Sequence, residues 1–332
     1  YKLMNNFYGF NNEKKNLIDN FKNYSLSNSI IIHGEKGIGK QTFVFNLIKE
    51  FISFSVKGSN LSHHFNLINN NSHPNIRYLS RDYDTKTNKE KKFISIDQIR
   101  KLHNFFYEST FDGFAKFIII DSADDLNINA ANALLKMLEE PKENTYIFLI
   151  SHQLSTLLPT MRSRCLKFKF NNHNFENFKM ILNDKVNYDD EYVKFLFDLS
   201  NGSPGLAIYL DHDDIINLFQ KILDSLIEND FSNNNNFELS NELFKYDNDK
   251  FKIFLYILKF ILLNFKKINS GINISDIYLS SKINLLLDYS SNISESSIDI
   301  KLEYLNKNEN DLFEYNLDKK YFILNFFTDS WS

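Results

Sequence analysis

The sequence predicts an α/β fold, a mostly parallel sheet with helices on both faces, followed by all-helical regions. Three observations carry this. Apolar or β-branched runs alternate with amphipathic stretches through the first half of the chain. A glycine-rich loop separates one such run from a helix, the opening of a nucleotide-type fold. After Phe170 the strand signals fade while helical patterns continue.

Each element has its own reason. Ser29–Ile32 is a short β-branched run ending in His33-Gly34, and Thr42–Phe51 follows with apolar positions at Phe43, Leu47 and Ile48. The stretch from Lys57 to Lys92 is polar and rich in His and Asn, and reads mainly as loop. Ser95 and Gln98 form a capping box ahead of a helix carrying Ile99, Leu102 and Phe106. Phe117–Ile120 is wholly apolar and ends in Asp121, as buried parallel strands do. A helix from about Asn129 to Glu140 stops at Pro141, and Tyr146–Ile150 is a further buried strand. Asn201-Gly202-Ser203-Pro204-Gly205 is a strong break. From about Asp211 onward the pattern is amphipathic helix, with Ile215, Leu218, Phe219 and Ile222 on one face. The expected domains are 1–168, 169–210 and 211–332.

Composition excludes several classes. Of 332 residues, 43% are hydrophobic and 24% charged, so disorder along the whole chain is excluded. A net charge of −4 argues against a globally basic nucleic-acid binder. Cys165 is the only cysteine, which rules out an internal disulfide framework and suits a reducing compartment. The N-terminal residues lack the zones of a signal peptide. The most apolar stretch, Ile253–Phe265, is interrupted by Lys259 and too short for a bilayer span. A soluble, cytoplasmic protein is expected.

Four motifs could carry chemistry. In Gly34-Glu35-Lys36-Gly37-Ile38-Gly39-Lys40-Gln41-Thr42 the glycines let backbone N–H groups wrap phosphates, and Lys40 reaches the β and γ oxygens. Gln41 stands where a Ser or Thr hydroxyl would hold Mg²⁺, and Thr42 comes one position late. The alternative to a phosphate cradle with a damaged metal site is a glycine turn kept only for folding. The second motif, Phe117–Asp124, places Asp121 at a strand end where a carboxylate supports Mg²⁺. Ser122 occupies the next position and has no carboxylate to act as a base. A core strand with a capped end explains it equally well. Third, Asn132, Lys136 and Glu139 share one face of a helix whose apolar side is Ala131, Leu134, Leu135 and Leu138. Such a stripe is most simply a solvated face. Fourth, Arg162-Ser163-Arg164-Cys165 offers a compact arginine pair, suited to local carboxylates or to a neighbour's phosphates.

In order, spacing and wording these motifs together resemble the clamp-loader branch of the AAA+ ATPases, within the bacterial DNA polymerase III machinery. The resemblance is strong from Ser29 to Arg164, weak through Gly202–Ala207, and beyond Asp211 rests on helical composition and length. It implies a RecA-like AAA+ domain, a small helical lid and an all-α C-terminal collar. Through the collar five subunits would assemble, with gamma/tau and delta types as partners, to load the sliding clamp onto primer-template DNA. The arginine of the Ser163-Arg164-Cys165 signature would complete a neighbour's ATP site, with Lys136 assisting, and Ser151 would sit at the sensor-1 position.

Departures from the motor-subunit pattern are Gln41, Ser122 and Gly205, the last where motor subunits carry a lid arginine. They imply a scaffold that lends an arginine and leaves room for ATP or ADP bound without hydrolysis. Many relatives carry a four-cysteine zinc module before the Asp121 strand. Here no cysteine is present, His63, His64 and His73 read as loop histidines, and no zinc is expected. The alternatives are an active motor subunit, a stand-alone P-loop ATPase using Asp124 or Asp125 as base, and a pure interaction module.

Overall fold

The computed structural model describes residues 8–56, 60–84, 89–110, 114–184, 188–212, 215–227, 241–272, 287 and 294–328. Its strands are β1 (Ser29–His33), β2 (Ile76–Leu79), β3 (Tyr83–Asp84), β4 (Lys89–Glu90), β5 (Lys116–Asp121), β6 (Thr145–Ser151) and β7 (Leu166–Lys169). Five of them form one sheet in the order β2-β5-β6-β1-β7, with every pairing parallel. β3 and β4 make a separate antiparallel pair.

The period-2 alternation of the strands explains the layering. Ile30, Ile32, Phe117, Ile119, Phe148 and Ile150 point to one face, where they meet α1 (Asn11–Lys22), α2 (Lys40–Ser55) and α3 (Asn60–Asn69). Ile31, Ile118, Ile120, Ile147 and Leu149 point to the other, against α4 (Ile96–Tyr107), α5 (Ile128–Glu139) and α6 (Pro159–Arg164). Helices therefore cover both faces, as the unbroken apolar strands require. Stacked aromatic rings fill the first layer, Phe21 on Phe51 at 4.0 Å and Phe10 on Phe170 at 4.1 Å between centroids.

Local signals set the element ends. Ser95 N–H donates to Gln98 Oε1 at 2.9 Å, closing the capping box that starts α4. Asn127 Oδ1 accepts from Ala130 N–H at 2.8 Å and caps α5. Buried Lys116, at the start of β5, donates to the carbonyls of Phe105 and Glu108 at the end of α4.

The reading of residues 57–92 as loop needs correction. Residues 60–69 form α3, with Leu61, Phe65 and Ile68 turned toward the core, and β2 pairs with β5. His63 and His64 lie on α3. The buried His64 Nδ1 lies 2.9 Å from His73 Nε2, while His73 Nδ1 accepts from Asn75 N–H at 3.2 Å. Among the described residues no group of three or more His, Cys, Asp or Glu side chains could hold a metal ion.

The chain divides into two compact units, Tyr1–Asn187 with Ser203–Leu206, and Tyr188–Gly202 with Ala207–Ser332. The described part of the second unit is helical. Its helix Asn248–Asn269 buries Phe251, Phe254, Leu255, Leu258, Ile261, Leu262 and Phe265, as expected of an apolar run hydrophobic nearly all round. Helix Glu295–Glu314 packs against it and buries Lys301, whose ammonium donates to the Phe326 carbonyl. No described helix is long and apolar enough to cross a membrane.

Candidate functional site

Parallel pairing aligns the C-terminal ends of three strands. His33 is level with Ser151, and Asp121 with Ile150, so the glycine loop, Asp121 and Ser151 converge at one edge. The loop from Gly34 to Gly39 leads directly into α2, which begins at Lys40.

Two glycines in this loop are dictated by backbone crowding. A Cβ at Gly34 would lie 2.2 Å from the Phe170 carbonyl oxygen. Gly37 has φ +87°, and a Cβ there would lie 2.5 Å from Ser203 Oγ and 2.9 Å from Leu206 N. The 203–206 segment is tied to the loop by Gly205 N–H to Gly37 O at 2.8 Å and Ser203 Oγ to Lys36 O at 2.9 Å. A Cβ at Gly205 would in turn meet Gly37 Cα at 2.8 Å, so no larger side chain fits this backbone.

Lys40 is 3% exposed, and burial pushes its pKa down to about 8. Its ammonium donates to Gly34 O and Glu35 O, both at 2.6 Å, and lies 3.1 Å from His152 Nδ1. Burial, then the Lys40 charge, drives the His152 pKa to about 4, so at neutral pH the ring is uncharged and Nδ1 can accept. Three acceptors meet the three ammonium protons.

At the adjacent strand end, Tyr78 OH lies 2.9 Å from Asp121 Oδ2 and Gln41 Nε2 lies 2.9 Å from Tyr78 OH. A carboxylate only accepts, so the phenol donates to Asp121 and takes its own hydrogen bond from the Gln41 amide. Burial raises the Asp121 pKa, opposed by the Tyr78 hydrogen bond and the Lys40 charge. As arranged, the pair does not fit Mg²⁺, which takes oxygen ligands: Gln41 turns its NH₂ group to the Tyr78 phenol, and Asp121 Oδ2 is engaged by the same phenol. Thr42 lies one residue further along α2 and is half-buried.

The carboxylates beyond Asp121 are also committed. Asp124 accepts from Ser122 Oγ, Ser151 Oγ, Thr156 Oγ1 and the backbone N–H groups of His152 and Gln153, at 2.6–3.2 Å. Burial alone would raise its pKa, but the hydrogen bonds from Thr156, His152, Ser122 and Ser151 outweigh it and hold the value below the usual carboxylate range. Asp125 pairs with Arg81 Nε at 3.2 Å. Neither is placed as a poised base.

The other predicted residues lie on the α5–α6 edge. Asn132, Lys136 and Glu139 are exposed along α5, above buried Ala131, Leu134 and Leu138. Arg164 ends α6, where Nη1 donates to Thr160 O at 2.9 Å and Nη2 pairs with Glu139 Oε1 at 2.8 Å. Ser163 is exposed, and its Oγ donates to Thr160 O. Buried Cys165 has its thiol pKa pushed up to about 11 by burial, so it is no nucleophile. Arg162 is more withdrawn, its Nε buried without a hydrogen-bond partner. The structure thus separates the predicted residues into two groups, the loop with Asp121 and Ser151, and the edge with Lys136 and Arg164. Sequence reasoning missed Tyr78 and His152. His152 could have been found as the neighbour of Ser151; Tyr78 carries no local signal.

A parallel sheet in this order, a phosphate-type loop after β1, an acidic end to β5 and an arginine closing the helix after β6 define an AAA+ domain of the clamp-loader kind. Comparison narrows this. Residues 10–174 match the family described as DNA polymerase III, delta subunit. DNA polymerase III subunit delta′ of Pseudomonas aeruginosa is 48% identical over 77 residues, covering 23% of this chain and 24% of that protein. The Escherichia coli delta′ subunit is 28% identical over 190 residues, covering 56% and 55%. Through residues 10–174 the chain belongs to the delta-prime family of DNA polymerase III subunits. It spans between 24% and 55% of the length of these two relatives. A DNA polymerase III gamma subunit-related protein from Thermotoga maritima is similar over 95% of this chain and 97% of its own, at 17% identity and a TM-score of 0.43.

Proposed function

We propose that this chain is an ATPase-deficient, stator-type subunit of the DNA polymerase III clamp loader that supplies Arg164 to the ATP site of a neighbouring motor subunit. The observation that carries this reading is the state of Arg164 beside the state of the chain's own loop. Arg164 stands exposed at a helix end, its guanidinium held only by Thr160 O and exposed neighbours such as Glu139. Lys40, by contrast, is buried and hydrogen-bonded to its own loop, Gln41 offers no hydroxyl, and Ser122 offers no carboxylate.

Guanidinium is planar, permanently charged and able to hold two phosphate oxygens at once, which suits it to charge developing on a transferred phosphoryl group. Lys136, on the same edge, is the second cation in this proposal. Residues 1–168 act as the AAA+ domain, 169–210 as the lid and 211–332 as the collar that joins gamma/tau and delta-type subunits. The assembly acts in the cytoplasm, loading the sliding clamp onto primer-template DNA. ATP or ADP at the chain's own loop, where it binds, is not hydrolysed, and no zinc takes part.

The test is reconstitution of the complex with Arg164→Ala. The isolated chain shows no metal-dependent ATP turnover. The variant assembles, yet loses activity at the one interface it serves, by roughly 10³–10⁵-fold at that site. Wild-type turnover and clamp loading by the assembled variant would leave Arg164 as a local ion-pair partner only.

A further inference from the structure

We infer that the Tyr78 phenol is an internal substitute for the metal ion of a P-loop site, and that Tyr78 together with Gln41 makes this chain's loop unable to use Mg²⁺ in binding a nucleotide. The inference deepens the proposed loss of ATPase activity and rests on that reading of the loop and Asp121 as a P-loop pair.

In a working site the side chain after the loop lysine and the aspartate at the end of the neighbouring strand are bridged by Mg²⁺. Here the same two positions are bridged by one tyrosine oxygen, 2.9 Å from Gln41 Nε2 and 2.9 Å from Asp121 Oδ2. Three features make the bridge a built one. Tyr78 is fixed in β2 by parallel pairing to β5, level with Ile119, two residues before Asp121. Its ring packs on Phe45 of α2, centroids 5.8 Å apart, so the phenol is held from the helix that also carries Gln41. The donor–acceptor order runs one way, from the Gln41 amide to the phenol to Asp121 Oδ2, so the phenol's proton and lone pair are both engaged without a cation.

The two substitutions act jointly. Gln41→Thr alone restores a hydroxyl but leaves Asp121 Oδ2 receiving the phenol proton. Tyr78→Phe alone frees Asp121 but leaves an amide at position 41. Only the double change returns both the hydroxyl and the unengaged carboxylate that hold Mg²⁺ in a working site.

The experiment is calorimetric titration of the full chain with ADP, in MgCl₂ and in EDTA, for wild type, Gln41→Thr, Tyr78→Phe and the double variant. Thermal unfolding confirms that each is folded. In the wild type, ADP binding is equal in the two buffers, or below detection in both. The double variant binds ADP tighter in MgCl₂ than in EDTA by about tenfold or more, the size expected when a metal ion again links the phosphates to protein oxygens. Mg²⁺ dependence in the wild type, full dependence in either single variant, or none in the double variant would each overturn the inference. The measurement uses the isolated chain and its own loop, so it is independent of whether Arg164 serves a neighbour.

Discussion

The loop edge and the α5–α6 edge of the same sheet treat charge in opposite ways. At the loop, Lys40 is 3% exposed and its hydrogen bonds end on its own loop and on His152. Asp121 Oδ2 accepts from Tyr78, and Asp124 accepts from five donors. At the other edge, Arg164 and Glu139 keep 36% and 45% of their side-chain surface in water, and Lys136 is exposed. A buried charge satisfied from within must break its bonds to serve a ligand, whereas an exposed one is only weakly held. The difference teaches that the two groups are held differently: one is hydrogen-bonded within the domain, and the other lies at its surface, where a neighbour could reach it.

The sharpest way to break this comparison is Arg164→Lys. It preserves charge but loses the planar grip on two oxygens. In the reconstituted complex it behaves like Arg164→Ala, with turnover at the affected interface down by roughly 10³-fold or more. Rescue by lysine, read in single-turnover ATP hydrolysis, would show that only a positive potential is needed there.

Next in size is a stability effect at Lys40. Its folded pKa of about 8 lies below the 10.5 of an ordinary lysine. Between these values the unfolded chain binds more protons than the folded one, so stability rises with pH across that window. The full rise is roughly 3 kcal/mol. Below pH 8 both states are protonated and the cost of burying the charge is fully present. Lys40→Met removes this rise. Urea unfolding of variant and wild type at pH 7.5 and pH 10.5 checks it, since other lysines cancel in the difference. Equal pH slopes would mean that the Lys40 ammonium is not buried in solution.

Much of this is legible in the sequence. The strands at 29–33, 116–121 and 145–151, and the helix 128–139, follow from apolar runs and caps whose causes are local. The polar stripe of α5 is readable as a face, although its engagement with Arg164 is not. What fails has two physical causes. Asn- and His-rich composition hides the i, i+4, i+7 pattern of Leu61, Phe65 and Ile68, so α3 reads as loop. Contacts between distant segments leave no local trace: Tyr78 meets Asp121 across 43 positions, and Gly205 meets Gly37 from far along the chain. For the same reason Gly205 reads as a lost arginine. The structure gives it a physical cause, backbone pressed on backbone.

That cause is testable, with a smaller effect. Gly205→Ala adds a Cβ that would lie 2.8 Å from both Gly37 Cα and Gly37 O, so loop or segment must shift. Overpacking of this kind costs about 1–3 kcal/mol. A drop in urea midpoint at unchanged slope is the expected result. A neutral substitution would mean that the 203–206 segment does not lie on the loop. The loop edge would then be open, and the contrast with the α5–α6 edge would weaken.

The smallest expected effect, at Glu139, tests the other side. Its ion pair with Arg164 is 2.8 Å long, but both side chains are more than a third exposed, so solvent and salt screen it. Glu139→Gln keeps the shape and removes the charge, and should change stability by only about 0–1 kcal/mol, less at high salt. Arg164→Ala should change stability as little. The structural and functional readings of this edge therefore separate cleanly. If Arg164 is a local ion-pair partner, both variants are mild in every assay. If it is presented to a neighbour, the two variants match in urea midpoint, yet Arg164→Ala alone loses most of the turnover at its interface. A large destabilisation of either variant, read as a midpoint shift, would make this edge part of the domain's scaffold and Arg164 too firmly held to be presented.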